Sequence, residues 1–477
     1  MLVAAAVIAF LPLSLAAMAV VGVMAVLVSL VRLEWGLCLL ALAVPFESLK
    51  AIELGGLSVT FTEVLCGLLV LAWLGQGAIH RRLPLHFTPL ALGLTLFVAL
   101  AAASVGVAEN LSLALKELLR WLEVLLVYLL VVSLARERGP QRLLVGALFL
   151  AAGMEVLLGA YQFFARVGPP SFAFGSFLRA YGTFGQPNPY AGYLAMVAPL
   201  AYALAVFSGK GQADPHPRRE LDWLRLLAWL ALGGTVAASL MSLSRGGWMG
   251  LAVALVLVTA LASRRGAVLT ALGLVVLAAL AVLGLSDLLP ASIASRLSIV
   301  GDYFGVFDVR TVVLTPENWA LVERMAHWQA AWLMYEDHPL FGVGIGNYAA
   351  AYPRYFLPPW QDPLGHAHNL YLNMLAEMGA IGLASYLLLI GSWFALGLAS
   401  LRRAEPGFPR ALALGCLGIL TASAVHNVFD NLLVHGLNVH LAIILGLLSL
   451  SGLRRLQIGR ELSWQEQNKA RWRGRYH

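Results

Sequence analysis

The sequence predicts an all-α polytopic membrane protein, and three observations carry that prediction. Hydrophobic residues make up 60% of the 477, charged residues only 12%, and mean hydropathy is +0.80. A water-soluble chain of this length exposes far more charge. Apolar runs of about 20 residues, the length a helix needs to cross a bilayer, recur from end to end. Between them stand short basic or turn-rich loops and one long non-spanning stretch, 286–372.

The spans fall near 3–30, 33–46, 59–78, 87–107, 113–135, 142–165, 188–207, 223–243, 246–263, 266–285, 373–401, 409–427 and 433–452. The first is long and holds Pro12, so it suits one helix or a tight hairpin; the second is short. The chain therefore carries about 12–14 transmembrane helices. They divide it into an N-terminal bundle (1–285), an extracytoplasmic loop (286–372), C-terminal helices (373–452) and a basic tail (453–477). No lysine or arginine precedes Arg32, and the first apolar run exceeds a signal-peptide core, so it reads as a retained span.

Alternating the loops from residue 59 onward tests orientation. With the segment near 80–86 inside, most of the 32 lysines and arginines fall on that side. The other set holds Lys50, Lys116, Arg120, Arg166, Arg179, Arg245, Arg296, Arg310, Arg324 and Arg354. Positive loops stay in the cytoplasm, which puts loop 286–372 outside. The net charge of +7 thus reports basic cytoplasmic loops, not nucleic-acid binding. The tail after Arg454, basic with interleaved tryptophans, suits anionic lipid headgroups. Cys38, Cys66 and Cys416 all lie in apolar runs and form no disulfide framework or metal spacing.

Four stretches carry chemistry. HAHNLYLNMLAEMGAIG, residues 366–382, sets His368 and Asn369 where a span emerges into water. Histidine is the side chain that exchanges protons near neutral pH. Gly379 and Gly382, three apart on a helical face, admit a close backbone. RAYGTFGQPNPYAGY, residues 179–193, is a turn-rich re-entry led by Arg179 and containing Asn188. SLSRGGWMG, residues 242–250, puts Arg245 in a tight external turn, a setting that suits a phosphate oxyanion.

Loop 286–372 predicts its own amphipathic helix, capped by Thr315 with Pro316 and Glu317 in the first turn. Leu321, Met325, Trp328 and Trp332 define its apolar face, and Arg324 projects from it. It runs into DHPLFGVGIGNY, residues 337–348. Gly342, Gly344 and Gly346 do not make a nucleotide loop, because no βαβ unit frames them and no lysine follows. His366 and His368 lack a third protein ligand at recognisable spacing, so neither metal nor cofactor is expected. Lys116, Arg120, Glu123 and Glu155 read as ion pairs between neighbouring helices or as the lining of a lipid-phosphate cavity. His426, Asp430 and His435 lie outside, within reach of an acceptor.

Taken together, His-Asn-x9-Gly-x-x-Gly at 368–382, Arg-x-x-Gly-Thr-Phe-x-x-Pro-Asn at 179–188, Ser-Arg-Gly-x-Trp at 244–248 and the Arg-x3-Trp helix leading into His-Pro-Leu-Phe-Gly-Val-Gly resemble the O-antigen ligase family. That family of membrane glycosyltransferases also holds O-antigen polymerases and some protein O-oligosaccharyltransferases. The resemblance implies a GT-C-like fold and metal-independent, inverting transfer from a polyprenyl (undecaprenyl) pyrophosphate-linked glycan. It implies a bacterial inner membrane and a site facing outward. His368 is the expected base, with Arg245 and Arg324 on the departing pyrophosphate. Arg179, Asn369, His366 and Asn188 are expected to bind substrate. The acceptor is lipid A-core in a ligase, a lipid-linked repeat in a polymerase and a protein hydroxyl in an oligosaccharyltransferase; the loop and the complete histidine motif favour a ligase. The rival from another class, a flippase or transporter, favours repeated halves with spans broken at the midplane, and the sequence displays no such repeat.

Overall fold

Lipid tails are as apolar as leucine, so helices in a membrane hold together by close packing instead of by escape from water. Small residues set those contacts here. The computed structural model describes residues 27, 31–49, 51–54, 57–81, 88–209, 220–282, 308–315 and 318–452. The expected span at 3–30 (Leu27 apart), the tail from 453, all of 283–307, Pro316 and Glu317 lie outside the described residues. So do Lys50, Arg82, Lys210, Arg218, Arg219 and Arg296 of the orientation argument.

The helices are α1 (Leu33–Ala43), α2 (Phe61–Ile79), α3 (Pro89–Ser104), α4 (Leu111–Leu134), α5 (Arg138–Ala165), α6 (Pro187–Ala195), α7 (Ala198–Phe207), α8 (Glu220–Ser242), α9 (Arg245–Ala262), α10 (Arg264–Val282), α11 (Trp319–Asp337), α12 (Leu370–Arg403), α13 (Phe408–His426) and α14 (Leu437–Ser451). Two small antiparallel hairpins, 51–60 and 173–178, are the strands among the described residues. Helix starts follow the capping rules: Thr60 and Glu63 form a capping box on α2, while Thr88, Asn110, Ser244 and Asn369 cap α3, α4, α9 and α12.

Eight helices among the described residues are long and apolar enough to cross a membrane, the α6–α7 pair counting as one. The chain is an all-α polytopic membrane protein. α13 and α14 are apolar all round and buried, as central helices of a bundle must be. Their glycines meet neighbours directly: Gly415 meets Leu200, Gly418 meets Pro199 and Val258, and Gly446 meets Val131. From the other side, Gly250 of α9 faces the Ala422 carbonyl of α13. The outer layer includes α8 on α5, α12 on α3, and α1 on α5.

Two spans are broken. The one expected at 188–207 divides at Met196 and Val197, where Pro199 near the start of α7 cannot donate a backbone hydrogen bond. α12 is interrupted at Gly379, whose φ of 64° and ψ of −163° lie outside the helical region. Gly379 and Gly382 therefore do not form one continuous helical face. Instead the 337–346 loop plugs the break. Val343 N–H donates to the Ala376 carbonyl at 2.9 Å, and Ala380 N–H donates to the Pro339 carbonyl at 2.8 Å. A Cβ on Gly379 would collide with the backbone of Leu340, and one on Gly342 with that of Ala376 and Glu377. The glycines of HPLFGVG and of the α12 motif thus fit each other.

α11 starts at Trp319, later than the sequence suggests. Thr315 and Asn318 exchange hydrogen bonds ahead of it, Thr315 N–H donating to Asn318 Oδ1 at 2.8 Å. Its buried stripe is Val322, Met325, Ala326, His327, Ala330, Ala331 and Met334. Trp332, expected on that face, is exposed and donates to Glu336 at 2.7 Å. The helix rests on α12, so the protein bundle receives it.

Candidate active site

The site gathers where α11, the start of α12 and the loop between α13 and α14 meet. His368 immediately precedes the α12 cap, with φ of 51° in the left-handed region. That costs backbone energy, which the surrounding contacts offset. His368 N–H donates to His366 Nδ1 at 3.1 Å, and the His368 carbonyl accepts from Trp328 Nε1 at 3.3 Å. Asn369 Oδ1 accepts from the Tyr371 and Leu372 N–H groups, each at 3.0 Å, so its carbonyl oxygen is committed to capping and not to the imidazole. Leu370 N–H donates to the Asn427 carbonyl at 2.9 Å, tying this corner to the end of α13.

Asp430 completes the arrangement. Its Oδ1 lies 3.3 Å from His368 Nδ1 and 4.0 Å from His366 Nε2. The Asp430 side chain is 7% exposed, against 20% for His368. A carboxylate at Nδ1 fixes the tautomer with the proton there and leaves Nε2 as the acceptor, the arrangement a general base requires. Burial alone would raise the Asp430 carboxyl. The hydrogen bond from His368 and the positive fields of His368, His366 and Arg324 outweigh it and hold the group well below the ordinary carboxylate range.

A third histidine, His327 on α11, joins the stack. Its ring lies 5.8 Å from that of His368, edge to face, and 4.8 Å from Tyr352, nearly parallel. Its Nδ1 pairs with the Tyr348 hydroxyl at 2.9 Å. Burial first, then the neighbouring histidines, push His327 down to about 4; burial and His368 do the same to His366. Both are neutral at physiological pH. The sequence reading passed over His327, although its spacing of three from Arg324 on a helix was a usable signal.

The arginines come from two places. Arg324, one turn before His327, acts electrostatically on Asp430, His366 and His426. Arg245 is the first residue of α9, after the two-residue turn Leu243–Ser244. Its neighbour Gly246 packs against His426 and Phe429, which lead into Asp430. Arg179 Nε donates to the Ser242 carbonyl at 3.0 Å, so Arg179 caps the end of α8 beside the Arg245 turn. Asn188 is half-buried in the first turn of α6, whose Ala191 faces Gly247 of α9. Among the described contacts, Asn188 does not join the histidine cluster.

Several intramembrane polar groups take roles the sequence did not separate. Glu155 is fully buried and, among the described residues, forms no cross-helix ion pair. It accepts from Thr183 N–H at 3.0 Å and Thr183 Oγ1 at 2.8 Å, and Gln162 Oε1 accepts from Tyr181 and Gly182 N–H. These two side chains fasten the Arg-x-x-Gly-Thr-Phe loop. Arg120 pairs within its own helix with Glu117 at 2.9 Å, and Glu123 accepts from Asn438 of α14 at 3.1 Å. Glu377 accepts from Tyr348 N–H at 3.1 Å and steadies the glycine turn.

The missing third partner of His366 and His368 is Asp430. One ligand atom from each lies within 4.8 Å of the others, so the trio has a composition that could hold a cation. The same geometry serves proton transfer, because His368 Nδ1 already faces the carboxylate.

Residues 226–387, from α8 past the break in α12, match a family model described as O-antigen ligase. No curated protein matches the chain. The matched segment contains Arg245, Arg324, His366, His368 and the interlocking glycines, whereas Arg179, Asn188 and Asp430 stand outside it. Over residues 226–387 this chain is therefore similar to the O-antigen ligase family.

Proposed function

We propose that the protein is an inverting, metal-independent glycosyltransferase. It moves a glycan from a polyprenyl (undecaprenyl) pyrophosphate donor to an acceptor hydroxyl at the outer face of the bacterial inner membrane. The reading favours a ligase that uses lipid A-core; a polymerase extending a lipid-linked repeat is the second choice. The observation that carries it is the His368–Asp430 pair beside Arg324.

The acceptor oxygen attacks the anomeric carbon as the bond from that carbon to the phosphate oxygen breaks. The pyrophosphate leaves with the electron pair, so the reaction needs no ATP. His368 Nε2 takes the hydroxyl proton, a contribution worth about 10²–10⁴-fold. Asp430 steadies the imidazolium that forms. Arg245 and Arg324 meet the departing pyrophosphate, and their planar forks stay charged at any working pH. Arg245 adds the positive end of α9, where backbone N–H groups favour an anion. Arg179 steadies the turn that carries Arg245. Direct attack opposite the leaving group inverts the anomeric configuration.

The test is in vitro transfer from a purified undecaprenyl pyrophosphate glycan, with lipid A-core and the lipid-linked repeat offered separately. Transfer by wild type, its loss in a folded His368→Ala chain, and an inverted product linkage support the reading. Wild-type-rate transfer by His368→Ala overturns it, as does lipid translocation without any transfer.

A further inference from the structure

Beside the catalytic cluster lies a second compartment. A cavity of about 250 Å³ opens between the outer ends of α4 and α12 and the loop before α14. Its polar lining comes from Lys116, Glu117, Arg120, His366, Asn373, Glu377 and Asn431. None of the three candidate arginines lines it. His366 does, and that residue also borders the His368–Asp430 cluster: its ring lies 4.6 Å from His368 and its Nε2 is 4.0 Å from Asp430. The cavity thus meets the base through His366, with none of the three arginines in its wall.

The chemistry of the lining is mixed. Lys116 and Arg120 stand four residues apart on one face of α4, with Glu117 paired to Arg120 at 2.9 Å. Two amides, a neutral imidazole and Glu377 complete the polar wall. A sugar hydroxyl is at once donor and acceptor, and a wall that alternates ammonium, carboxylate, guanidinium and amide groups satisfies both halves. A lipid tail would offer these polar groups no hydrogen bond, and a bare phosphate would meet the Glu117 carboxylate. An in-line displacement also needs its nucleophile on the side away from the leaving group, and this cavity supplies a second side.

We propose that this cavity is the acceptor subsite and that it takes a polyhydroxylated sugar ring of the acceptor glycan. His366 forms the partition that turns one ring hydroxyl toward His368. The inference rests on the transferase reading for its name, but the binding it predicts is measurable without catalysis.

The experiment measures binding of lipid-free core oligosaccharide to the detergent-purified full chain by saturation-transfer NMR. Wild type is set beside Lys116→Gln and Ala349→Phe, the latter placing a ring at the cavity wall. Initial rates are followed in parallel with donor and acceptor varied in turn. Binding weakened about tenfold in both variants, the size expected when a charged hydrogen bond is lost, supports the subsite. The matching kinetic result is a raised acceptor KM with the donor KM unchanged. Oligosaccharide binding unaltered in both folded variants overturns it, and so does a change confined to the donor KM. If wild type binds the oligosaccharide at this cavity yet transfers nothing, the subsite stands and the transferase reading falls.

Discussion

The buried pair α13–α14 and the outer corner where α11 meets the break in α12 are built by opposite means. α13 and α14 are largely apolar, and close packing makes most of their contacts, Gly415 against Leu200 and Gly446 against Val131, with a few polar ties such as Asn438 to Glu123. The outer corner holds an open helix break, three histidines and a buried carboxylate, and specific hydrogen bonds locate it. The first construction tolerates volume-conserving change. The second is over-determined, because each polar group there needs its one partner. The lesson is that this chain concentrates its specific hydrogen bonds at that corner and builds the bundle largely by packing.

The sharpest way to break that contrast is at the helix break. Gly379→Val should abolish folding, at a cost above about 4 kcal/mol, because the side chain meets Leu340 backbone at a φ that L residues avoid. Gly391→Ala in the same helix, where nothing stands within 4 Å, should be neutral or stabilise by up to about 1 kcal/mol. Thermal unfolding in detergent compares the two. Asp430→Asn should leave the fold intact and lower kcat by about 10²–10⁴-fold, since the amide no longer selects the His368 tautomer. Steady-state transfer rates check this.

Stability should also depend on pH at this corner. His327 and His366 are held down to about 4 from an ordinary value of 6.5. The unfolded chain therefore binds more protons between those values. The stabilisation is complete above the unfolded value and is lost as pH falls through 6.5 toward 4. Each histidine contributes at most about 3 kcal/mol. Melting temperature measured across that window should fall with pH in wild type and fall less steeply in His327→Phe. A smaller effect separates charge from geometry: Arg324→Lys should cost about tenfold in kcat and Arg324→Ala about 10²-fold. The smallest expected effect is none. Transfer should survive EDTA, and loss of activity restored by a divalent ion would assign His366, His368 and Asp430 to a metal instead.

Much of this was legible in the residues. Hydropathy located eight of the expected spans among the described residues, because a bilayer demands a fixed apolar length whatever the tertiary fold. The motifs at 179–188, 244–248, 324–344 and 368–382 singled out His368, Arg245 and Arg324, because histidine and arginine at the ends of apolar helices have few other reasons to be there. What the sequence could not state was pairing. Asp430 lies 62 residues from His368, and no spacing rule links them; the packing of α12 on α13 does. The histidine motif's glycines looked like a helix-packing face and proved to be a break filled by the loop before it, since only the backbone of Leu340 reveals what Gly379 makes room for. Composition and local spacing thus determined the class, the spans and the reactive residue types. Tertiary packing alone decided which charge stands beside which, because electrostatic pairs and close backbone contacts depend on distance in space, and distance along the chain does not record it.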